Sequence, residues 1–440
     1  MSKPETNGLT EHFPPLTAQE ALMEANRCLF CYDAPCAHAC PTHIDIPKFI
    51  KKISTENLIG SARTIFDSNL LGATCARVCP VQELCEGACV LGAEHKPIMI
   101  GRLQRFAMDH VYQRGIGVVK LAPPTPWKVA VIGSGPAGLS CAGELARRGH
   151  GVTVFEKREL PGGLSTYGII SLREPMEASL AEVRMIANLG VKIETGAHLG
   201  AELSIRDLQA RFDAVFLGVG LGATTAMGIE GEEYAIDGLW YIEQSKLNGT
   251  GMKPGRKVVV IGAGNTAIDC ATIAKRLGAE HVTMVYRRSP TEMTSYQHEY
   301  EFVKKEGVTF RFLTQPVAVL ADNGLVSGLR AVRVELGEAD ASGRRGPKPV
   351  TGLEFVIAAD QVVKAVGQQR PSLAETLGLD TEKGYIRVNE DFETNIAGVF
   401  AGGDCTRAKN AASTVMAVQD GKLAAAAIHV RLMNAEARRG

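Results

Sequence analysis

The spacing of apolar positions changes character once along the chain, near residue 128. From Thr17 to about residue 114 the apolar residues recur at helical intervals. Ala21, Leu22, Ala25 and Leu29 form one such run, and Leu103, Phe106, Ala107 and Val111 share a face of "PIMIGRLQRFAMDHVYQ". Thr17 and Glu20 have the spacing of a capping box ahead of the first run, and Asp45 followed by Pro47 and Phe49 predicts the start of another helix. No strand pattern occurs in this part. "GIGVVKLAPPTPWK" (115–128), with three prolines, predicts an extended connector. From Val129 onward, short valine- and isoleucine-rich runs alternate with helical patterns, as in a parallel sheet covered by helices.

Two segments of this second part repeat each other as strand, turn, helix and strand. In "KVAVIGSGPAGLSCAGELARRGHGVTVFEK" Gly133, Gly135 and Gly138 form G-x-G-x-x-G after a strand, and Glu156 ends the next strand. The first glycine permits the tight turn, the second lets the backbone approach a pyrophosphate, and the third lets helix and strand pack. The acid is placed to accept ribose hydroxyls. In "KVVVIGAGNTAIDCATIAKRLGAEHVTMVYRR" the fingerprint is Gly262, Gly264 and Ala267, and the acid is replaced by Arg287 and Arg288. A basic pair there accommodates a 2′-phosphate, which favours NADP over NAD, or is simply a solvated pair at a strand end.

The tract from Val308 to Glu335 predicts antiparallel strands turning at Asn323 and Gly324, and "GEADASGRRGPKP" (337–349) a solvated loop. Near the C-terminus Gly402, Gly403 and Asp404 follow a short strand and precede a helix beginning near Ser413. Two dinucleotide sites in one chain suggest that one holds a flavin and the other a nicotinamide. Asp404 is then placed to hold a ribityl hydroxyl.

Forty-eight basic residues balance forty-eight acidic ones, so no net field draws the chain to nucleic acid or to an anionic membrane. The N-terminal stretch has no basic-then-apolar segment, and no run of eighteen apolar residues occurs. A cytoplasmic protein without a membrane span is the expectation. Eleven cysteines then become informative, because in a reducing compartment clustered cysteines read as metal ligands or redox groups. Eight of them form two sets: C-x2-C-x4-C-x3-C-P at Cys28, Cys31, Cys36 and Cys40, and C-x3-C-P-x4-C-x3-C at Cys75, Cys79, Cys85 and Cys89. Ferredoxin-type runs also end in Cys-Pro and lend their fourth cysteine to a neighbouring cluster. Zinc is the rival, since four thiolates satisfy it equally and His38 or His43 could join, but zinc cannot pass electrons onward from a flavin. Cys141, Cys270 and Cys405 fall within the nucleotide folds and are read as packing residues.

"LPGGLSTYGI" (160–169), "FDAVFLGVG", "DQVVKAVGQQRP" and "VFAGGDC" resemble the set found in flavoproteins like the small subunit of glutamate synthase and the N-terminal half of dihydropyrimidine dehydrogenase. The resemblance covers nearly the whole chain. It implies an α+α/β protein: a helical double [4Fe-4S] domain (1–125), an FAD-binding domain of glutathione-reductase type in two parts (126–235 and 367–440), and an NAD(P)H-binding domain (236–366) inserted between them. It implies FAD at Gly133, Gly135, Gly138, Glu156, Gly163, Gly403 and Asp404, and NADH or NADPH at Gly262, Gly264, Asn265, Thr266, Arg287 and Arg288. By the same resemblance one cluster uses Cys28, Cys31, Cys36 and Cys89. The other uses Cys40, Cys79, Cys85 and the unusual ligand Gln104, with Cys75 as a near neighbour. "CLFCYDAPCAHACP" and "NLLGATCARVCP" are closer to the pyrimidine enzyme than to glutamate synthase. The resemblance therefore implies the electron-input subunit of an NAD-dependent dihydropyrimidine dehydrogenase, partnered in a hetero-oligomer by a large FMN-containing subunit. The small subunit of NADPH-linked glutamate synthase is the alternative. A zinc-stapled flavin fold without turnover is a third possibility.

Overall fold

The structure is a computed structural model that describes residues 9–339, 345–407 and 413–437. The chain divides into two compact units: residues 13–166, 173–222 and 370–440 form one, and residues 1–12, 167–172 and 223–369 the other. The helical segment shares a continuous apolar core with the first dinucleotide fold, so that Phe49, Ile65 and Leu103 belong to the same cluster as Val131, Leu145 and Val418.

Helices α1 (Ala18–Asn26), α2 (Pro35–His38), α3 (Ile46–Ser54), α4 (Leu58–Phe66), α5 (Gly72–Val78) and α6 (Ile100–Gln113) build the N-terminal part, and among the described residues no strand precedes Lys128. The Thr17–Glu20 capping box caps α1, and the Asp45 side chain accepts from Lys48 N at the start of α3. Leu29 does not extend α1. The helix closes at Asn26 and Leu29 is 61% exposed, because the chain must turn there to bring in the first cysteines.

In the first unit five parallel strands lie in the order Val399–Ala401, Ala214–Leu217, Lys128–Ile132, Gly151–Glu156 and Lys192–Thr195. Val131, Val154, Val215 and Phe400 are wholly buried, as a sheet covered on both faces requires. α7 (Pro136–Arg147) follows the first strand, α8 (Met176–Asn188) packs against α5, and the closing helix Thr414–Ala437 lies along α7. That last contact is close: a Cβ on Gly421 would sit 2.1 Å from the Ala137 carbonyl oxygen, so only glycine fits.

In the second unit five parallel strands run in the order Ile236–Asp237, Gln361–Lys364, Lys257–Ile261, His281–Val285 and Thr309–Arg311. An antiparallel sheet of Thr314–Asp322, Leu325–Ala339 and Arg345–Ala358 completes it. Asn323 and Gly324 form the predicted turn with φ 49° and 81°. Two expectations are corrected here. Thr309–Arg311, placed among the antiparallel strands by its sequence, pairs parallel with Thr283–Val285. The described ends of the stretch read as a solvated loop are strands, with Glu335 paired to Lys348, because ladder pairing overrides a polar, glycine-rich composition. Residues 340–344 of that stretch, and the N-terminal residues 1–8 used in judging the leader, lie outside the described residues. Among the described residues no helix is long and apolar enough to cross a membrane.

Candidate functional site: two cysteine-lined cavities and two dinucleotide turns

The eight clustered cysteines are sorted in space, not by their order along the chain. One cavity of the N-terminal part is lined by Cys28, Cys31, Cys36 and Cys89, and a second by Cys40, Cys75, Cys79, Cys85 and Gln104. Each encloses about 380 Å³ of unfilled space, part of it open to solvent. Phe30, held at φ 51°, makes the turn between Cys28 and Cys31. Cys36 rides on α2, Cys75 on α5 with Cys79 as its C-terminal cap, and Gln104 on α6. Each cavity thus draws on both cysteine sets. All eleven cysteines are free thiols.

Burial and mutual repulsion raise four of these thiols, Cys28, Cys36, Cys79 and Cys85. Burial, and then the charges of Cys28 and Cys89, push Cys36 up to about 11, and burial raises Cys28 and Cys85 as well. A hydrogen bond with Cys75, then burial, raises Cys79. Thiolates crowded in this way require a cationic group between them. The donor set therefore fits iron–sulfur clusters. Among the described residues no three His, Cys, Asp or Glu side chains converge as they would around a single metal ion. Gln104 is oriented by its own helix pair: its Nε2 donates to the Gly72 carbonyl at 2.7 Å, which leaves the amide oxygen as the available donor atom.

The first dinucleotide turn is built as its glycines predict. Gly133 sits at φ 92°, a Cβ on Gly138 would lie 1.9 Å from the Gly133 carbonyl oxygen, and a Cβ on Gly135 would meet nothing within 4 Å. The turn is therefore closed beneath and open where a pyrophosphate would lie. Gly163 approaches it so closely that a Cβ would stand 2.7 Å from the Gly135 Cα. Glu156 is anchored more fully than its sequence position shows. Its Oε2 accepts from Ser134 N at 2.9 Å and Ser134 Oγ at 2.6 Å, and its Oε1 from Arg158 N at 2.9 Å. Ser134 also accepts from Gly162 N, so this serine ties the fingerprint to the Gly162–Gly163 turn.

Asp404 supplies the test of flavin binding. Its Oδ1 is buried with no hydrogen-bond partner, and burial pushes the carboxyl up to about 6 despite Arg407. A buried carboxylate oxygen left unpaired is costly, and a ligand hydroxyl would satisfy it. The residues fit the group. Two residues missed by sequence reasoning hold this turn. Asp420 Oδ2 accepts from Gly403 N at 3.0 Å and from Arg407 Nη2 at 2.5 Å. Both lie in an unremarkable polar pattern, and no sequence signal marks them.

In the second unit Gly262 sits at φ 135°, and a Cβ there would be 2.2 Å from the Ala365 carbonyl oxygen. Gly264 precedes the helix Asn265–Arg276, Asn265 accepts from Tyr296 N, and Thr266 is half-buried beside it. The arginine pair is divided. Arg288 donates its Nε to the Arg345 carbonyl at 3.1 Å, whereas Arg287 is exposed and, among the described residues, makes no hydrogen bond or ion pair. Cys141, Cys270 and Cys405 are buried packing residues.

Sequence comparison agrees with this geometry. Residues 127–421 match the family described as pyridine nucleotide-disulphide oxidoreductase, and residues 5–116 match dihydropyrimidine dehydrogenase domain II, 4Fe-4S cluster. The chain belongs to the pyridine nucleotide-disulphide oxidoreductase family, as an electron-transfer flavoprotein of the group that contains the glutamate synthase small subunit and carries an N-terminal 4Fe-4S domain. It is 35% identical to the glutamate synthase [NADPH] small chain of Escherichia coli K12, across 94% of this chain and 92% of that one. It is also 35% identical to the NAD-dependent dihydropyrimidine dehydrogenase subunit PreT of Escherichia coli O157:H7, across 97% and 98%. FprA of Mycobacterium tuberculosis in complex with NADPH shares the fold at a TM-score of 0.59 and 20% identity, over 72% of this chain and 86% of that one.

Proposed function

We propose that the chain is the electron-input subunit of a dihydropyrimidine dehydrogenase. It takes a hydride from NADH or NADPH and delivers the two electrons singly to a large FMN-containing partner, which interconverts uracil or thymine and the 5,6-dihydropyrimidine. The observation that carries the proposal is that both cysteine-lined cavities and the first dinucleotide turn, with the unpartnered Asp404 oxygen, share one compact unit and one core. The end-to-end match to the PreT subunit supports the choice of partner.

When bound, FAD supplies two-electron acceptance from the nicotinamide and single-electron release, and two [4Fe-4S] clusters supply one-electron relay. Gly133, Gly135, Gly138 and Gly163 shape the pyrophosphate bed, Glu156 faces the ribose, and Gly403 and Asp404 hold the ribityl chain. Cys28, Cys31, Cys36 and Cys89 hold one cluster, and Cys40, Cys79, Cys85 and Gln104 the other. Gly262, Gly264, Asn265 and Thr266 would hold the nicotinamide dinucleotide, with Arg287 and Arg288 available to its adenosine ribose or 2′-phosphate. Segments 126–235 and 367–440 then act as the flavin domain, 236–366 as the nicotinamide domain and 1–125 as the cluster domain. A cytoplasmic hetero-oligomer is the proposed setting.

The unengaged Arg287 favours one second reading, the small subunit of an NADPH-linked glutamate synthase. Anaerobic titration with NADH and with NADPH, followed by assembly with each candidate large subunit, separates the two. Uracil reduction driven by NADH supports the pyrimidine enzyme. Glutamate formation from glutamine and 2-oxoglutarate, driven only by NADPH, replaces it. A purified chain containing zinc and no iron overturns both.

A further inference from the structure

The closing helix Thr414–Ala437 meets two features at once. Near its start Val415 lines the second cysteine cavity, and one turn later Asp420 holds the Gly403 amide beside Asp404. Lys422 follows on the same helix and reaches into the N-terminal part. Its Nζ donates to the Thr42 carbonyl at 3.1 Å and to the Ser68 carbonyl at 2.9 Å. Thr42 is wholly buried, and its Oγ1 is 3.4 Å from Cys40 Sγ, the thiol that lines the second cavity. The lysine is thus one residue's reach from a cluster ligand although 380 positions separate it from Thr42.

Its charge is not otherwise compensated. Among the described residues Lys422 makes no ion pair. Glu144, the carboxylate that acts on it, is already held by Arg147 at 3.2 Å and Arg148 at 2.7 Å. Carbonyl oxygens satisfy its donors without neutralising it. A half-buried ammonium in this position has one unmet requirement, an anion. A cluster ligated by thiolates is anionic and gains one negative charge with each electron it takes.

We propose that Lys422 is a positioning residue that provides the fixed positive charge for the centre held at the second cavity, stabilising its reduced form relative to that of the first. The proposal rests on the assignment of a cluster to Cys40, Cys79, Cys85 and Gln104. The balance is simple: one of the two electrons released by the reduced flavin enters the centre, no bond is made or broken, and Lys422 keeps its protons throughout. Among the described residues, no residue of the closing helix lines the first cavity of Cys28, Cys31, Cys36 and Cys89. Lys51, the cation near the first cavity, stands over the Phe30 ring at 4.6 Å rather than on a carbonyl next to a lining cysteine, so Lys422 distinguishes the second centre.

The test is a redox titration of the full-length, anaerobically purified chain, monitored by electron paramagnetic resonance, for wild type, Lys422→Met and Lys422→Arg. Iron is counted first. A wild-type chain without two distinct cluster signals refutes the underlying assignment, independently of the lysine. With both signals present, Lys422→Met is expected to make reduction of one cluster about tenfold less favourable, a fall of about 59 mV for a one-electron couple, and to leave the other unmoved. Lys422→Arg restores the wild-type potential. Equal shifts of both clusters, or none, overturn the proposal. So does an Arg variant that shifts as far as the Met variant, since lost packing rather than lost charge would then be responsible. If Lys422→Met loses iron, Lys422→Gln, which keeps a donor to one carbonyl without charge, takes its place in the same titration.

Discussion

Replacing Glu182 by glutamine should stabilise the protein at neutral and alkaline pH, although it deletes an ionisable group that makes hydrogen bonds. Glu182 lies on α8, is 1% exposed, and accepts from Ala73 N at 2.7 Å at the start of α5. Glu174 stands beside it, wholly buried, and accepts from Thr74 Oγ1 at 2.5 Å. Burial, with the charge of Glu174 adding to it, pushes the Glu182 carboxyl from 4.5 up to about 8. The native state therefore binds a proton that the unfolded chain has released across that interval. Stability falls as pH rises through it, by about 1.4 kcal/mol per pH unit, and levels off above the folded value. Glutamine copies the protonated acid: its oxygen still accepts from Ala73 N, and its amide can face Glu174. The variant and the wild type should be similar near pH 5 and differ by on the order of 3 kcal/mol near pH 8, after allowance for relaxation around the site. The assay is anaerobic thermal unfolding of the cofactor-loaded protein at matched pH values, read as the difference in apparent Tm. A difference that does not change between pH 5 and pH 8, or a variant less stable at pH 8, would refute the proton assignment.

Other outcomes follow from the same geometry. Asp404→Ala should lower FAD retention by about tenfold while leaving the apo chain no less stable, because it removes an unpaired buried oxygen; flavin content after gel filtration and the apo-protein Tm measure the two effects. Gly138→Ala, whose Cβ would stand 1.9 Å from the Gly133 carbonyl oxygen, should abolish flavin binding or folding, whereas Gly135→Ala, with open space around it, should yield folded protein with weakened FAD affinity. Arg287→Ala should raise KM for NADPH by about tenfold and leave NADH oxidation nearly unchanged if the arginine contacts a 2′-phosphate, and Arg288→Ala should do less, since its Nε already serves Arg345. Cys36→Ala should remove at least half the iron and weaken the signal of the second centre as well, measured by iron analysis and electron paramagnetic resonance.

The dinucleotide turns were legible because their chemistry is local: a strand, three small residues and a helix start within a dozen positions. The same held for the capping of α1 by Thr17 and Glu20, where both partners are three residues apart. The pairing of Cys89 with Cys28 was not legible from spacing. Which cysteines line a common cavity is set by helix packing between segments about sixty residues apart, which no local spacing encodes. Ser134 and Asp420 stayed hidden because their work is to hold other residues in place. Glu182 and Lys422 were invisible for a plainer reason: their partners lie 109 and 380 positions away, and no period in the sequence encodes such meetings. Polar composition misled at the described ends of the 337–349 stretch, where residues that look like a loop are paired strands.

The interleaving of the two cysteine sets also bears on how the molecule is made. A centre joining Cys28 to Cys89 closes a loop of about sixty residues, and one joining Cys40 to Gln104 closes another that overlaps it without being nested inside it. During synthesis neither loop can close until the chain has passed its distal ligand, so both centres await nearly the same length of emerged polypeptide. Once closed, each restrains residues that the other needs. Oxidative loss of either centre should therefore loosen its neighbour, and the N-terminal part should gain or lose its iron as a pair.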